Sequence, residues 1–250
     1  APIAAFILTA TLLVFVHLKV KQPVMLLLER FVKGGGWFEI AFLSTYAAIV
    51  CQKLSDPVKT PKVRKTIWLI FSIVFFSQLV LGLAGIEKML MTGKLHLPVP
   101  ALIIGGPLFR GDGFFMLILF GAMVLVAGPA WCSYLCYIGA WDSVAANRKR
   151  KPAALPKWRH AVRVIILVLT VMVALGMGYL GVPSATAGIL AALFGIAGIG
   201  VMVFISRKTG VMTHCVTYCP MGLIADLWGK IAPFRLRIAH SCDRCGACTP

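Results

Sequence analysis

Acidic residues are scarce in this chain. Only 8 Asp and Glu stand against 25 Lys and Arg in 250 residues, for a net charge of +17. Polar residues are sparse too: 60% of the chain is hydrophobic and mean hydropathy is +0.91. A composition this apolar excludes an ordinary soluble domain. A nucleic-acid binder would gather its cations on a polar fold, whereas here they punctuate apolar runs. Nucleic acid is therefore excluded as a partner, and an integral membrane protein with basic cytoplasmic loops is expected. The first apolar segment has no small-residue cleavage site of the Ala-x-Ala type, which argues against a signal peptide. No Met opens the chain, so its start is expected to be either processed or cut.

What is present is a series of apolar runs. Stretches of about 17–25 residues cross a bilayer, and the candidates are residues 1–18, 37–52, 66–86, 113–130, 164–181 and 187–206. They predict an all-α, polytopic membrane helical bundle of six spans. Residues 19–36, with Pro23 and Gly34-Gly35-Gly36, read as an interfacial segment and a turn. Positive charge resists crossing the membrane. This puts the loop at 53–65, the segment 131–163 and the chain after Val203 on the cytoplasmic side of the inner membrane. Together they carry 18 of the 25 basic residues. Residues 19–36, 87–112 and 181–186 fall outside. Trp131, Trp141 and Trp228 fit an interfacial aromatic belt. The run Arg148–Lys151 anchors the topology and contacts anionic lipid.

Seven of the eight cysteines then lie on the reducing side, where structural disulfides are not expected. Two groups of five residues repeat. Cys132-Ser133-Tyr134-Leu135-Cys136 and Cys215-Val216-Thr217-Tyr218-Cys219 align without a gap, and both continue as Cys-x3-Cys-x2-Gly-apolar. Each follows the inner end of a span and precedes an amphipathic stretch, 141–147 or 223–231. Four-residue spacing on a helical turn puts two thiols on one face. Two such pairs would supply four thiolates, the ligand count of a cubane cluster. Buried structural cysteines and a thiol–disulfide relay are the alternatives. Gly128-Pro129 should end the fourth span and free the backbone ahead of Cys132.

Near the end stands Cys242-Asp243-Arg244-Cys245-Gly246-Ala247-Cys248. Cys-x2-Cys-x2-Cys opens the bacterial ferredoxin run, and a zinc knuckle is the competing reading. The fourth cysteine of that run is expected just beyond Pro250. The chain thus divides into a membrane domain at 1–206, which includes the first motif loop at 131–147, a connector with the second motif at 207–240, and the start of a ferredoxin module at 241–250.

Tandem Cys-x3-Cys motifs on membrane helices, the second followed by Pro220, and then a ferredoxin run resemble the NapH/NosR-type membrane ferredoxins. One departure is that Tyr137, not Pro, follows Cys136. The resemblance covers about residues 66–250. It implies 4Fe-4S clusters as cofactors, with Cys132, Cys136, Cys215 and Cys219 as the paired ligands and Cys242, Cys245 and Cys248 as the first ferredoxin ligands. It also implies a respiratory electron-transfer subunit rather than a free-standing enzyme, working with other redox subunits of a membrane complex. The same family includes metal-site maturation proteins.

A quinone is a further expected partner. His17 and His96 could meet a quinone head group or a haem, but hydrogen-bonded histidines are commoner and haem is not expected. Gln78 in the third span reads as an interhelical hydrogen-bonding residue. His214, beside Cys215, could orient a thiolate. Cys51 reads as a small buried apolar residue.

Overall fold

The computed structural model describes residues 1–19, 26–56, 58–90, 97–149, 153–154 and 157–233. Among them all regular structure is helical. The helices are α1 (Pro2–Lys19), α2 (Leu27–Phe31), α3 (Gly35–Leu54), α4 (Thr60–Leu83), α5 (Leu102–Arg110), α6 (Phe115–Ala127), α7 (Tyr137–Ala146), α8 (Arg159–Tyr179), α9 (Ser184–Gly200), α10 (Arg207–Thr209) and α11 (Pro220–Trp228).

Four stretches are long and apolar enough to cross a membrane: α1, α4, α8, and the run Ser184–Thr209 that begins with α9. The other two expected spans do not qualify. Helix α3 has the length, 20 residues, but Glu39, Ser44, Thr45 and Gln52 dilute its apolarity. Helix α6 is apolar but has only 13 residues. At about 1.5 Å per residue it reaches about 20 Å, short of a hydrocarbon core of about 30 Å.

The chain forms two compact units. The first comprises residues 1–67 and 73–96. Here α1 packs along α3, with α2 between them in sequence. Glu29 of α2 accepts hydrogen bonds from the amides of Gly34 at 3.1 Å and Gly36 at 2.9 Å, capping the start of α3. His17 stands edge-on to Trp37, with ring centroids 5.1 Å apart.

The second unit comprises residues 68–72 and 97–250, so one stretch of α4 belongs to it. Helix α5 lies along α8, and α11 packs on α8 and α6. Ile103, Ile104, Phe120, Val124, Met221 and Ala225 form the core, and Cys219 lies within it. Fully burying a side chain such as Phe120 contributes about 2 kcal/mol. Trp131 packs edge-on against Phe120 at 5.7 Å, so it serves this core rather than a surface belt. Trp141 and Trp228 are exposed. Along α8 the apolar residues Ile165, Val168, Leu169 and Met172 face outward, as a lipid-facing helix requires.

Candidate metal centre

The first cysteine of each Cys-x3-Cys pair lies on a π-helical turn, Trp131–Leu135 in the first motif and His214–Tyr218 in the second, and the second cysteine follows the end of that turn. The two turns close alike. The amide of Cys136 donates to Trp131 O at 2.9 Å, and the amide of Cys219 donates to His214 O at 2.8 Å. Such turns are rare and favour functional sites. Both second cysteines then leave helical geometry, with φ −77° and ψ 106° at Cys136 and φ −75° and ψ 118° at Cys219. Each stands at the N-cap of a helix, α7 or α11. The expected α-helical turn with two thiols along one face is thus replaced by a wider turn and an extended second cysteine. A glycine at positive φ precedes each motif, Gly128 at 64° and Gly210 at 71°. Gly128 ends α6 as the Gly-Pro pair predicts.

The glycine of Cys-x3-Cys-x2-Gly has a steric reason. A Cβ on Gly139 would lie 3.3 Å from Cys132 O and 2.6 Å from the Trp68 ring. A Cβ on Gly222 would lie 2.7 Å from Cys215 O and 2.8 Å from Arg163 Nη2. Without side chains there, the helix start closes over its own cysteine turn. The Gly139 amide donates to Cys136 Sγ at 3.4 Å. Amides of Ile138 and Gly139 favour the Cys136 thiolate, and those of Met221 and Gly222 favour Cys219. The positive N-terminal ends of α7 and α11 thus point at one sulfur each. Tyr137 and Pro220 occupy the same first helical position, where no intrahelical N–H bond is needed. Tyrosine in place of proline therefore leaves the turn intact. The first motif is further held by Trp68 Nε1–H, which donates to Cys136 O at 2.8 Å, and by the Ser72 hydroxyl, which donates to Tyr137 O at 2.7 Å.

The two motifs face one another. All four thiols are free, and each interacts electrostatically with the other three. Burial pushes every one of them up, Cys136 to about 12, and the neighbouring sulfurs add to the rise at Cys132, Cys136 and Cys215. Asp142 of α7, fully buried, reaches across to the second motif, where its Oδ2 accepts from the Cys215 amide at 3.0 Å. Burial raises the Asp142 pKa, while the Ser206 hydroxyl alongside and the Cys215 amide oppose the rise. Its Oδ1 has no hydrogen-bond partner. His214 is lowered by burial, with Asp142 and the Gly198 carbonyl opposing. His214 Nδ1 lies 3.2 Å from Gly198 O, so among the described contacts the ring is tied to a helix carbonyl rather than to a cysteine. Arg163 of α8 donates to Asp226 Oδ2 at 2.6 Å from Nη1 and its charge is felt at Cys132 and Cys219.

Cys242, Cys245, Cys248 and His96 lie outside the described residues. Cys51 is half-buried on α3, in the other unit. The sequence reading missed Trp68, Ser72, Asp142 and Asp226, and took Arg163 for a topology charge. One signal was available: two of the chain's eight acidic residues follow the two motifs closely, at Asp142 and Asp226.

Residues 113–152 and 189–239 match a protein family described as a 4Fe-4S binding domain. The first segment contains Cys132 and Cys136, and the second contains Cys215 and Cys219. The match indicates an iron–sulfur, ferredoxin-like protein with a 4Fe-4S cluster. No curated protein and no solved structure matches the chain.

The four-cysteine arrangement fits such a cluster better than a single ion. Among the described residues no three His, Cys, Asp or Glu side chains converge as one metal ion requires. Tetrahedral zinc draws every sulfur to about 2.3 Å from one centre. A cubane takes four cysteines on separate irons and so accepts a wider set of thiols.

Proposed function

We propose that this protein is a membrane electron carrier of the NapH/NosR type. In this reading its 4Fe-4S cluster is held by Cys132, Cys136, Cys215 and Cys219 at the cytoplasmic face of the inner membrane. The observation that carries the reading is the joining of the two repeated motifs, whose four free thiols lie within electrostatic reach of one another and are bridged by the bond from the Cys215 amide to Asp142 at 3.0 Å. Each motif lies in a segment matching the 4Fe-4S family. The bound cluster supplies one-electron transfer. The chain's own residues do the rest. The π-turns present the thiols, the first amides of α7 and α11 offset thiolate charge, and Asp142 ties the two motifs together. The core around Phe120 and Val124 keeps water from the second motif.

Electrons pass between a lipid-dissolved quinone or a cytoplasmic donor and a membrane or periplasmic redox subunit. The run Cys242, Cys245 and Cys248 begins a ferredoxin module that serves as the next carrier. With α8 and the run Ser184–Thr209 as crossings, both motifs fall on the same side, and the basic residues between them make that side the cytoplasmic one. A thiol–disulfide relay is the weaker reading, because a relay needs a thiol of depressed pKa, and burial raises all four here.

The purified full chain should contain iron and acid-labile sulfide in equal amounts. After reduction by dithionite, decylubiquinone should reoxidise it, each quinone taking two electrons and two protons. Protein without sulfide, carrying instead a disulfide between Cys132 and Cys136, would establish the relay. A reduced cluster indifferent to quinone would remove the quinone from the account and leave the cluster.

A further inference from the structure

Helix α8 hides the wrong residue for a lipid-facing helix. Its apolar side chains point outward, and Arg163, 3% exposed, is one of the two residues it buries. A guanidinium out of water is strongly unfavourable unless its charge and its N–H groups are met. Asp226 meets them only in part. It takes Nη1 at 2.6 Å, but its carboxylate is 51% exposed. Nε is buried with no partner. A cation serving only as a topology anchor would reach solvent, and this one turns inward. Its Nη2 lies 2.8 Å from where a side chain on Gly222 would begin, against the turn that carries Cys215 and Cys219.

Four thiolates around a cubane leave a net negative charge, which grows by one unit when the cluster is reduced. A buried cation close by stabilises the more negative state. We propose that Arg163 is the counter-cation of the four-cysteine cluster, a positioning residue whose guanidinium raises the reduction potential. The proposal rests on the reading that these four cysteines share one cluster. Asp226 orients the guanidinium and moderates its charge, so the two residues act with opposite sign.

The test is a redox titration of the full chain in detergent, followed by electron paramagnetic resonance. At the wild-type midpoint, Arg163→Gln should lower the ratio of reduced to oxidised cluster about tenfold, the size expected for one charge about 10 Å away at an effective dielectric of about 20. Arg163→Lys should restore most of the ratio, and Asp226→Asn should raise it. An unchanged midpoint in Arg163→Gln with its cluster intact overturns the proposal. Should Arg163→Gln lose the cluster, Asp226→Asn decides: a raised ratio supports the assignment and an unchanged or lowered one overturns it. A wild-type protein with no cluster signal would contradict the underlying reading, which iron and sulfide analysis identifies separately.

Discussion

Gly222 sits where the second cysteine turn and the start of α11 meet. A methyl group there would press on Cys215 O at 2.7 Å and on Arg163 Nη2 at 2.8 Å. The carbonyl belongs to the backbone and cannot turn aside as the end of a flexible side chain can. Gly139 faces a milder conflict, 3.3 Å from the equivalent carbonyl, and its 2.6 Å contact is with the ring of Trp68. Overpacking of this kind costs about 1–3 kcal/mol, and here the cost falls on the geometry that presents the thiols. Gly222→Ala should therefore lose more than half of the bound iron, and Gly139→Ala should lose less. Iron per protein after purification measures both. Equal iron in both variants and the wild type would show that the glycines do not hold the turns. The spacing Cys-x3-Cys-x2-Gly was plain in the sequence at these residues. The carbonyl that makes glycine necessary was not, because it depends on the turn being π rather than α.

At the scale of elements, the break of α6 at Gly128, the helices after each motif and the duplication itself were legible from local chemistry. Gly128-Pro129 at the end of an apolar run disfavours continuing the helix, and an ungapped repeat needs no tertiary information. The partnerships between elements were not legible. Trp68 and Ser72 lie 68 and 65 residues from their acceptors, Asp142 lies 73 from Cys215, and Arg163 lies 63 from Asp226. Of the six apolar runs, 113–130 holds a helix of only 13 residues, and its late start at Phe115 was not legible from hydropathy. In the first unit, the cap on α3 offers a direct test. Gly36 and Gly34 amides hold the Glu29 carboxyl below its ordinary range. A group lowered in this way contributes stability that is present above its unfolded pKa and is lost as pH falls through the folded one. Amide hydrogen exchange at Gly34 and Gly36 should accelerate below the usual carboxylate range, and Glu29→Gln should abolish that pH dependence. Exchange with the same profile in the variant would assign the cap to something other than this carboxylate.

At the scale of the whole molecule, the proposed cytoplasmic placement of the motifs rests on charge. The segment between the two motifs carries Arg148, Lys149, Lys157 and Arg159, and positive charge resists translocation. A membrane-impermeant thiol reagent should label the cysteines of cluster-free protein in inverted vesicles only. Labelling in intact right-side-out cells would invert the topology. Cys132, Cys136 and Cys215, half-buried, and Cys219, buried, interact as one group of thiols, and the account depends on their sharing a single cluster. Spectroscopy of serine variants tests that sharing most directly. Cys136→Ser and Cys219→Ser should each remove the same electron paramagnetic resonance signal from the reduced protein, and the double variant should remove nothing more. Two separate signals, one lost with each cysteine, would contradict the shared site.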